Sequence, residues 1–129
     1  MESFTISTIL PATPEQIYNA WLSSEGHSRM TGSPAEVKGE IDGSFKAWDG
    51  YIWGKTLELE PYRRIVQAWR TSEFPADSLD SRVEIQFEET KGGTKITLIH
   101  TNIPDEQGDS YKGGWEEFYF SPMRAYFSK

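Results

Sequence analysis

Apolar and polar positions alternate along most of this chain, and the period of the alternation changes three times. Phe4, Ile6, Thr8 and Leu10 alternate with polar Thr5 and Ser7, a period of two that predicts a first strand ending at Pro11. In Thr13-Pro14-Glu15-Gln16, Thr13 can cap a helix, Pro14 suits its first position and Gln16 closes a capping box. Ile17, Ala20 and Trp21 then mark the buried face of a short helix through about Leu22. Ser24–Met30 reads as a second brief helical piece, broken by Gly32-Ser33-Pro34.

Turn signals follow at regular intervals. Asp42-Gly43 and Asp49-Gly50 are hairpin-type turns separating strands over Ala35–Ile41, Ser44–Trp48 and Tyr51–Glu60. Pro61-Tyr62-Arg63 turns into Arg64–Thr71, where Ile65, Gln67 and Trp69 share a face. Phe74-Pro75-Ala76-Asp77 belongs to a loop. Val83, Ile85 and Phe87 alternate with polar neighbours, and Gly92-Gly93 reverses the chain into Thr94–Asn102, where Ile96, Leu98 and His100 share a face.

In the tail the period lengthens. Trp115, Phe118, Tyr119, Pro122 and Tyr126 recur at i, i+3, i+4, i+7 and i+11, one face of a long helix that Pro104-Asp105-Glu106 can open. Ser121-Pro122 interrupts it, because a mid-helix proline lacks the N–H donor and clashes with the preceding turn. A kink fits, and so does a stop and restart with Ser121 as cap, so a bend is expected near Phe118–Pro122.

This order predicts an α+β fold in one domain, residues 1–129: a curved antiparallel sheet wrapped around a long C-terminal helix, with two short helices after the first strand. Large rings packed across a curved sheet tend to leave a gap, so a ligand cavity between sheet and helix is expected. Its candidate lining is Val83, Ile85, Phe87, Leu98, His100, Trp115, Phe118, Tyr119 and Met123. Of the five tryptophans, Trp21, Trp69 and Trp115 suit the core. Trp48 and Trp53, close to hairpin turns, suit an opening or a partner surface.

Composition narrows the chemistry. At 129 residues the chain is near the modal size of one domain. It has no cysteine, which excludes disulfides and thiolate metal sites. Its net charge is -7, and the long-range repulsion argues against nucleic acid or an anionic membrane as partner. Met1-Glu2-Ser3 does not look like a signal peptide and no apolar run could span a bilayer, so a cytoplasmic location is expected. No cofactor is implied, and the two histidines lie too far apart for a recognisable metal spacing. His27, in a polar segment, is expected to be exposed. His100, pointing inward, could orient a ligand or serve as a general base; the alternative is a strand-end histidine bonded to a neighbouring hydroxyl or backbone group.

Several segments together carry a resemblance. Ile65-Val66-Gln67-Ala68-Trp69-Arg70, Val83-Glu84-Ile85-Gln86-Phe87, Gly93-Thr94-Lys95-Ile96-Thr97-Leu98, Ile103-Pro104 and Gly114-Trp115 occur in the order of one family's signatures. With Pro14–Ala20, Asp42-Gly43-Ser44-Phe45 and Leu59-Glu60-Pro61, they resemble the activator of heat-shock-protein-90 ATPase homologue, C-terminal-domain-like family. The resemblance implies the helix-grip fold of the START and polyketide-cyclase superfamily, with a cavity under the last helix, and an association with chaperones and the stress response. Three functions follow as expectations. The first is a non-enzymatic protein holding a small apolar or aromatic ligand. The second is a co-chaperone-like protein-interaction module with a chaperone or other protein partner. The third is a cyclase-like or hydrolytic enzyme using His100, its acid–base work involving His100, Tyr51 or Tyr119.

Overall fold

The computed structural model describes residues 1–128. Strand β1 (Glu2–Leu10) leads into helices α1 (Pro14–Trp21) and α2 (Ser24–Thr31). Six strands follow: β2 (Ala35–Val37), β3 (Ser44–Ala47), β4 (Ile52–Glu60), β5 (Arg64–Thr71), β6 (Ser81–Thr90) and β7 (Gly93–Ile103). They form one antiparallel sheet in the order β1-β7-β6-β5-β4-β3-β2, a meander whose far edge takes up the first strand. The chain ends in α3 (Gly108–Trp115), a π-helical turn (Glu116–Phe120) and α4 (Ser121–Phe127), which run on without a break. No helix among the described residues is long and apolar enough to cross a membrane.

Local chemistry fixes the helix starts. Thr13 Oγ1 accepts the N–H of Gln16 at 3.1 Å, and Gln16 Oε1 accepts the N–H of Thr13 at 2.9 Å, so the capping box is closed. Ser23 caps α2, and Gly32, at φ 80°, ends it in the left-handed conformation.

Besides one-residue shifts at the ends of β4 and β7, three boundaries differ from the pattern in the sequence. The strand expected over Ala35–Ile41 stops at Val37, because the chain leaves the ladder and Asp42 donates its N–H to Thr56 instead. β3 stops at Ala47, because Trp48, Asp49 and Gly50 all take positive φ (55°, 56° and 84°). The last helix starts at Gly108 and not at Pro104. Glu106, at φ 71°, turns the chain, and the Glu2 carboxylate accepts the N–H groups of Glu106 and Gly108 at 2.8 and 2.7 Å.

At Ser121-Pro122 the helix neither stops nor restarts. Ser121 is itself helical, makes no cap, and donates its N–H to Glu116 five residues back. A proline at 122 would drive its ring into the carbonyl of residue 118 in a regular α-helix, and the wider π turn just before it makes room.

The core lies between the concave face of the sheet and the helices. Ile65, Val83, Ile85, Ile96 and Leu98 project from β5–β7 and are at most 2% exposed. Tyr111, Trp115, Tyr119, Phe120 and Met123 meet them from the C-terminal helix. α1 packs against β6, placing Tyr18 edge-on to Phe87 at 5.8 Å between ring centres. Each large side chain buried this way contributes about 1.5–3 kcal/mol.

Candidate functional site

Between the C-terminal helix and the β3–β5 end of the sheet the packing is incomplete, leaving a partly open cavity of about 330 Å³. Trp48 and Tyr51 reach it from the β3–β4 hairpin, Ile52 from β4 and Trp69 from β5. Ser110, Tyr111, Gly114 and Trp115 come from α3, and Phe118 and Tyr119 from the π turn. Eight of these ten side chains are aromatic or aliphatic. Phe118 is 48% exposed and meets Trp48 edge-on at 5.4 Å, so these two rings form part of the mouth. Trp48 holds that place from a left-handed backbone, unusual for a bulky residue.

Three of the nine sequence candidates, Trp115, Phe118 and Tyr119, stand in this wall. The other six do not. Val83, Ile85, Leu98 and Met123 are sealed in the core at no more than 1% exposure, Phe87 packs on Tyr18, and His100 lies behind Trp115. Strand parity does point the five of these on β6 and β7 inward, and Met123 meets them from α4, but α1 packs against β6 and the C-terminal helix covers the rest. Sequence reasoning passed over Ile52, Trp69, Ser110, Tyr111 and Gly114 as wall residues. The signal for Tyr111 was its place four residues before Trp115 on the aromatic stripe.

Hydrogen bonds behind the wall decide which ring edges the cavity sees. The Trp115 indole N–H donates to His100 Nδ1 at 3.1 Å. The neutral ring therefore carries its proton on Nε2 and donates to Ser81 Oγ at 2.8 Å, while Ser81 donates onward to the Trp69 carbonyl at 2.8 Å. With no exposure and no ionised partner, burial pushes the His100 imidazole down to about 3. His27, expected at the surface, is only 4% exposed. Its Nδ1–H donates to the Trp21 carbonyl and its Nε2 accepts the Tyr119 hydroxyl, each at 3.0 Å. Burial lowers its pKa, the Trp21 carbonyl opposing this, and burial raises that of the Tyr119 phenol.

The outer rings are tied in the same manner. Tyr111 donates to Gln107 Oε1 at 2.6 Å and takes a hydrogen bond from Thr71 at 2.7 Å. Tyr51 donates to the Glu73 carboxylate at the rim, and burial followed by that bond raises its pKa.

This arrangement suits binding. Ser81 and His100 are hydrogen-bonded, but the serine proton points to the Trp69 carbonyl and both residues are at most 1% exposed, so they are not disposed as nucleophile and base. Among the described residues no group of three or more His, Asp or Glu is placed to hold a metal ion.

Comparison with known proteins agrees with the architecture. The family model described as Activator of Hsp90 ATPase homolog 1-like protein matches residues 11–128. The mouse protein "Activator of 90 kDa heat shock protein ATPase homolog 2" is 27% identical over 120 residues, 93% of this chain and 36% of its own length. The human "Activator of 90 kDa heat shock protein ATPase homolog 1" is 24% identical over 123 residues, 95% of this chain and again 36% of its own length. The chain thus spans about a third of these curated relatives. The crystal structure of an Hsp90 activator from Plasmodium falciparum superposes with a TM-score of 0.87 at 28% identity, covering 97% of this chain and 95% of that one.

Proposed function

Since this chain belongs to the Activator of Hsp90 ATPase homolog 1-like family, we infer that it is a non-enzymatic binding domain whose pocket takes a small apolar or aromatic molecule. One observation carries this reading: a partly open cavity of about 330 Å³ with aromatic side chains at seven of its ten wall positions. The volume is at the small end of the ~300–1,000 Å³ usual for ligand sites. Burying about 200 Å² of apolar ligand surface supplies roughly 5 kcal/mol of gross driving force, part of it offset by the entropy of association.

A screen of small apolar and aromatic compounds by thermal shift tests it. A ligand at 100 times its Kd raises stability by about 2.7 kcal/mol, several degrees of melting temperature. Amide and indole N–H resonances of Trp48, Trp69 and Trp115 should move with the binder. Perturbations confined to the outer sheet face would refute the pocket reading.

A second reading is favoured by the names of the relatives: a co-chaperone-like module that acts on a 90 kDa heat-shock protein. The test is that chaperone's ATPase rate with and without this protein, and binding measured at two salt concentrations. Stimulation, or salt-sensitive binding as the charge of -7 requires, supports it. The absence of both sinks it.

A further inference from the structure

We propose that the aromatic pocket selects an apolar organic cation, such as a quaternary ammonium carried on an alkyl or aryl body, over a neutral molecule of the same shape. This rests on the pocket reading and adds the sign of the ligand's charge. Three observations converge on it.

The first is what the wall rings do with their polar ends. Tyr51, Tyr111 and Tyr119 each donate their hydroxyl proton to a protein acceptor: Glu73, Gln107 and His27. Trp115 donates its indole N–H to His100. Four wall rings are therefore hydrogen-bond donors to the protein and offer no donor to a ligand. A phenol or indole that donates its proton gains electron density on the ring. The quadrupole of an aromatic ring is negative on its faces, and donation makes it more so.

The second is the charge of the surroundings. Among the described residues the wall contains no Lys, Arg or His to repel a cation. The Glu73 carboxylate is bonded to a wall residue, and exposed Asp49 and Glu117 directly follow Trp48 and directly precede Phe118. The two cations that adjoin wall residues in sequence are turned elsewhere. Arg70 is bound to Asp80 at 2.8 Å and to the Ser78 and Pro75 carbonyls, and Lys112 lies on the β1 side of the helix beside Glu2 and Phe4.

The third is the mutual disposition of the rings. Trp69 and Trp115 lie 5.6 Å apart at 37°, Trp115 and Tyr119 4.7 Å apart at 45°, and Trp69 and Tyr111 5.1 Å apart at 82°. At these separations the rings pack on one another, so what they present to the cavity is a surface of several differently tilted planes, which suits a rounded ammonium group resting against it better than a flat neutral ring needing parallel walls.

The experiment compares benzyltrimethylammonium with neopentylbenzene, its uncharged isostere, by titration followed through the tryptophan indole and backbone amide resonances. The cation is expected to bind about tenfold more tightly, with shifts at Trp48, Trp69 and Trp115. Glu73→Gln, whose amide oxygen can still accept the Tyr51 hydroxyl, should weaken the cation severalfold more than it weakens the neutral compound. Equal or tighter binding of neopentylbenzene overturns the charge selection and leaves the pocket reading standing. Binding of neither compound counts against both. Cation shifts confined to Glu and Asp residues away from the wall overturn the proposal as surface ion pairing.

Discussion

Lowering the pH from 7 to 5 should destabilise the fold by about 2 kcal/mol through His100 alone, and further through His27. In the unfolded chain a histidine titrates near 6.5, whereas burial holds His100 at about 3 in the native protein. Between those two values the unfolded state takes up a proton that the native state refuses. Stability is therefore complete above the unfolded value, falls as the pH drops below it, and stops falling once the native histidine also protonates. Integration from pH 7 to 5 gives about 1.9 kcal/mol for one such group. His27 is also depressed by burial and acts with the same sign. Protonation is opposed by geometry as well as by burial. Nδ1 of His100 accepts from the Trp115 indole, which can only donate, so a proton there sets two donors against each other, while a proton on His27 Nε2 requires the Tyr119 hydroxyl to turn and accept. Other groups act in different windows. The Arg64 guanidinium beside Glu84 holds that carboxyl at about 2, so its contribution is lost only as pH falls below about 4.5. The assay is urea denaturation in half-unit pH steps, with tryptophan fluorescence as readout. A free energy equal at pH 7 and pH 5 within about 0.5 kcal/mol would refute the reasoning, given a linkage slope of about 1.4 kcal/mol per unit. So would imidazole ¹⁵N shifts at pH 7 that place the His100 proton on Nδ1.

Gly113→Ala and Gly114→Ala should each stabilise the helix by roughly 0.5–1 kcal/mol. A methyl at 113 meets nothing within 4 Å whereas one at 114 enters the pocket 3.9 Å from Phe118, so only the second should weaken a pocket ligand in a binding titration. Tyr119→Phe leaves the buried His27 Nε2 without its donor and should cost about 1–3 kcal/mol in chemical denaturation. Met123→Ala should cost about 2–5 kcal/mol because the side chain is 1% exposed, yet leave ligand affinity unchanged, since it lies outside the wall. Glu2→Ala releases the N–H groups of Glu106 and Gly108 and should cost about 1 kcal/mol, with faster amide exchange at the start of α3.

What was legible in the sequence is what neighbouring residues decide between themselves. The capping box at Thr13, the strand Arg64–Thr71 and the reversal at Gly92-Gly93 each follow from a few adjacent side chains and backbone preferences. The boundaries that moved were set from further off. Glu2 reaches 106 residues along the chain to fix the start of the last helix, and Thr56 draws Asp42 out of the β2 ladder. His27 shows the limit most clearly. Its segment, Ser24-Glu25-Gly26-His27-Ser28-Arg29, reads as surface, and nothing local announces that its Nε2 will meet a tyrosine 92 positions away.

The position of the cavity has the same origin. Alternation shows that Val83, Ile85, Leu98 and His100 face inward, but cannot show which part of the inner face another element will cover. Coverage was settled by α1, whose Tyr18 takes Phe87 and whose Trp21 donates to Gln67 at 3.3 Å, closing the β5–β6 region to any ligand. The C-terminal helix closes β7 through Trp115 on His100. Only the β3–β5 end is left, where the hairpin holding Trp48 and Tyr51 stands off from α3 and its paired glycines. The rings there are polar at one end, and each of Tyr51, Tyr111, Trp115 and Tyr119 has found an acceptor outside the cavity. The bonds that lock these rings into the fold are therefore the bonds that turn apolar, electron-rich surface toward the opening. Stability and recognition draw on the same contacts, so a substitution that frees one ring's polar end, such as His100→Ala beneath Trp115, should alter affinity even though the altered residue never touches the ligand.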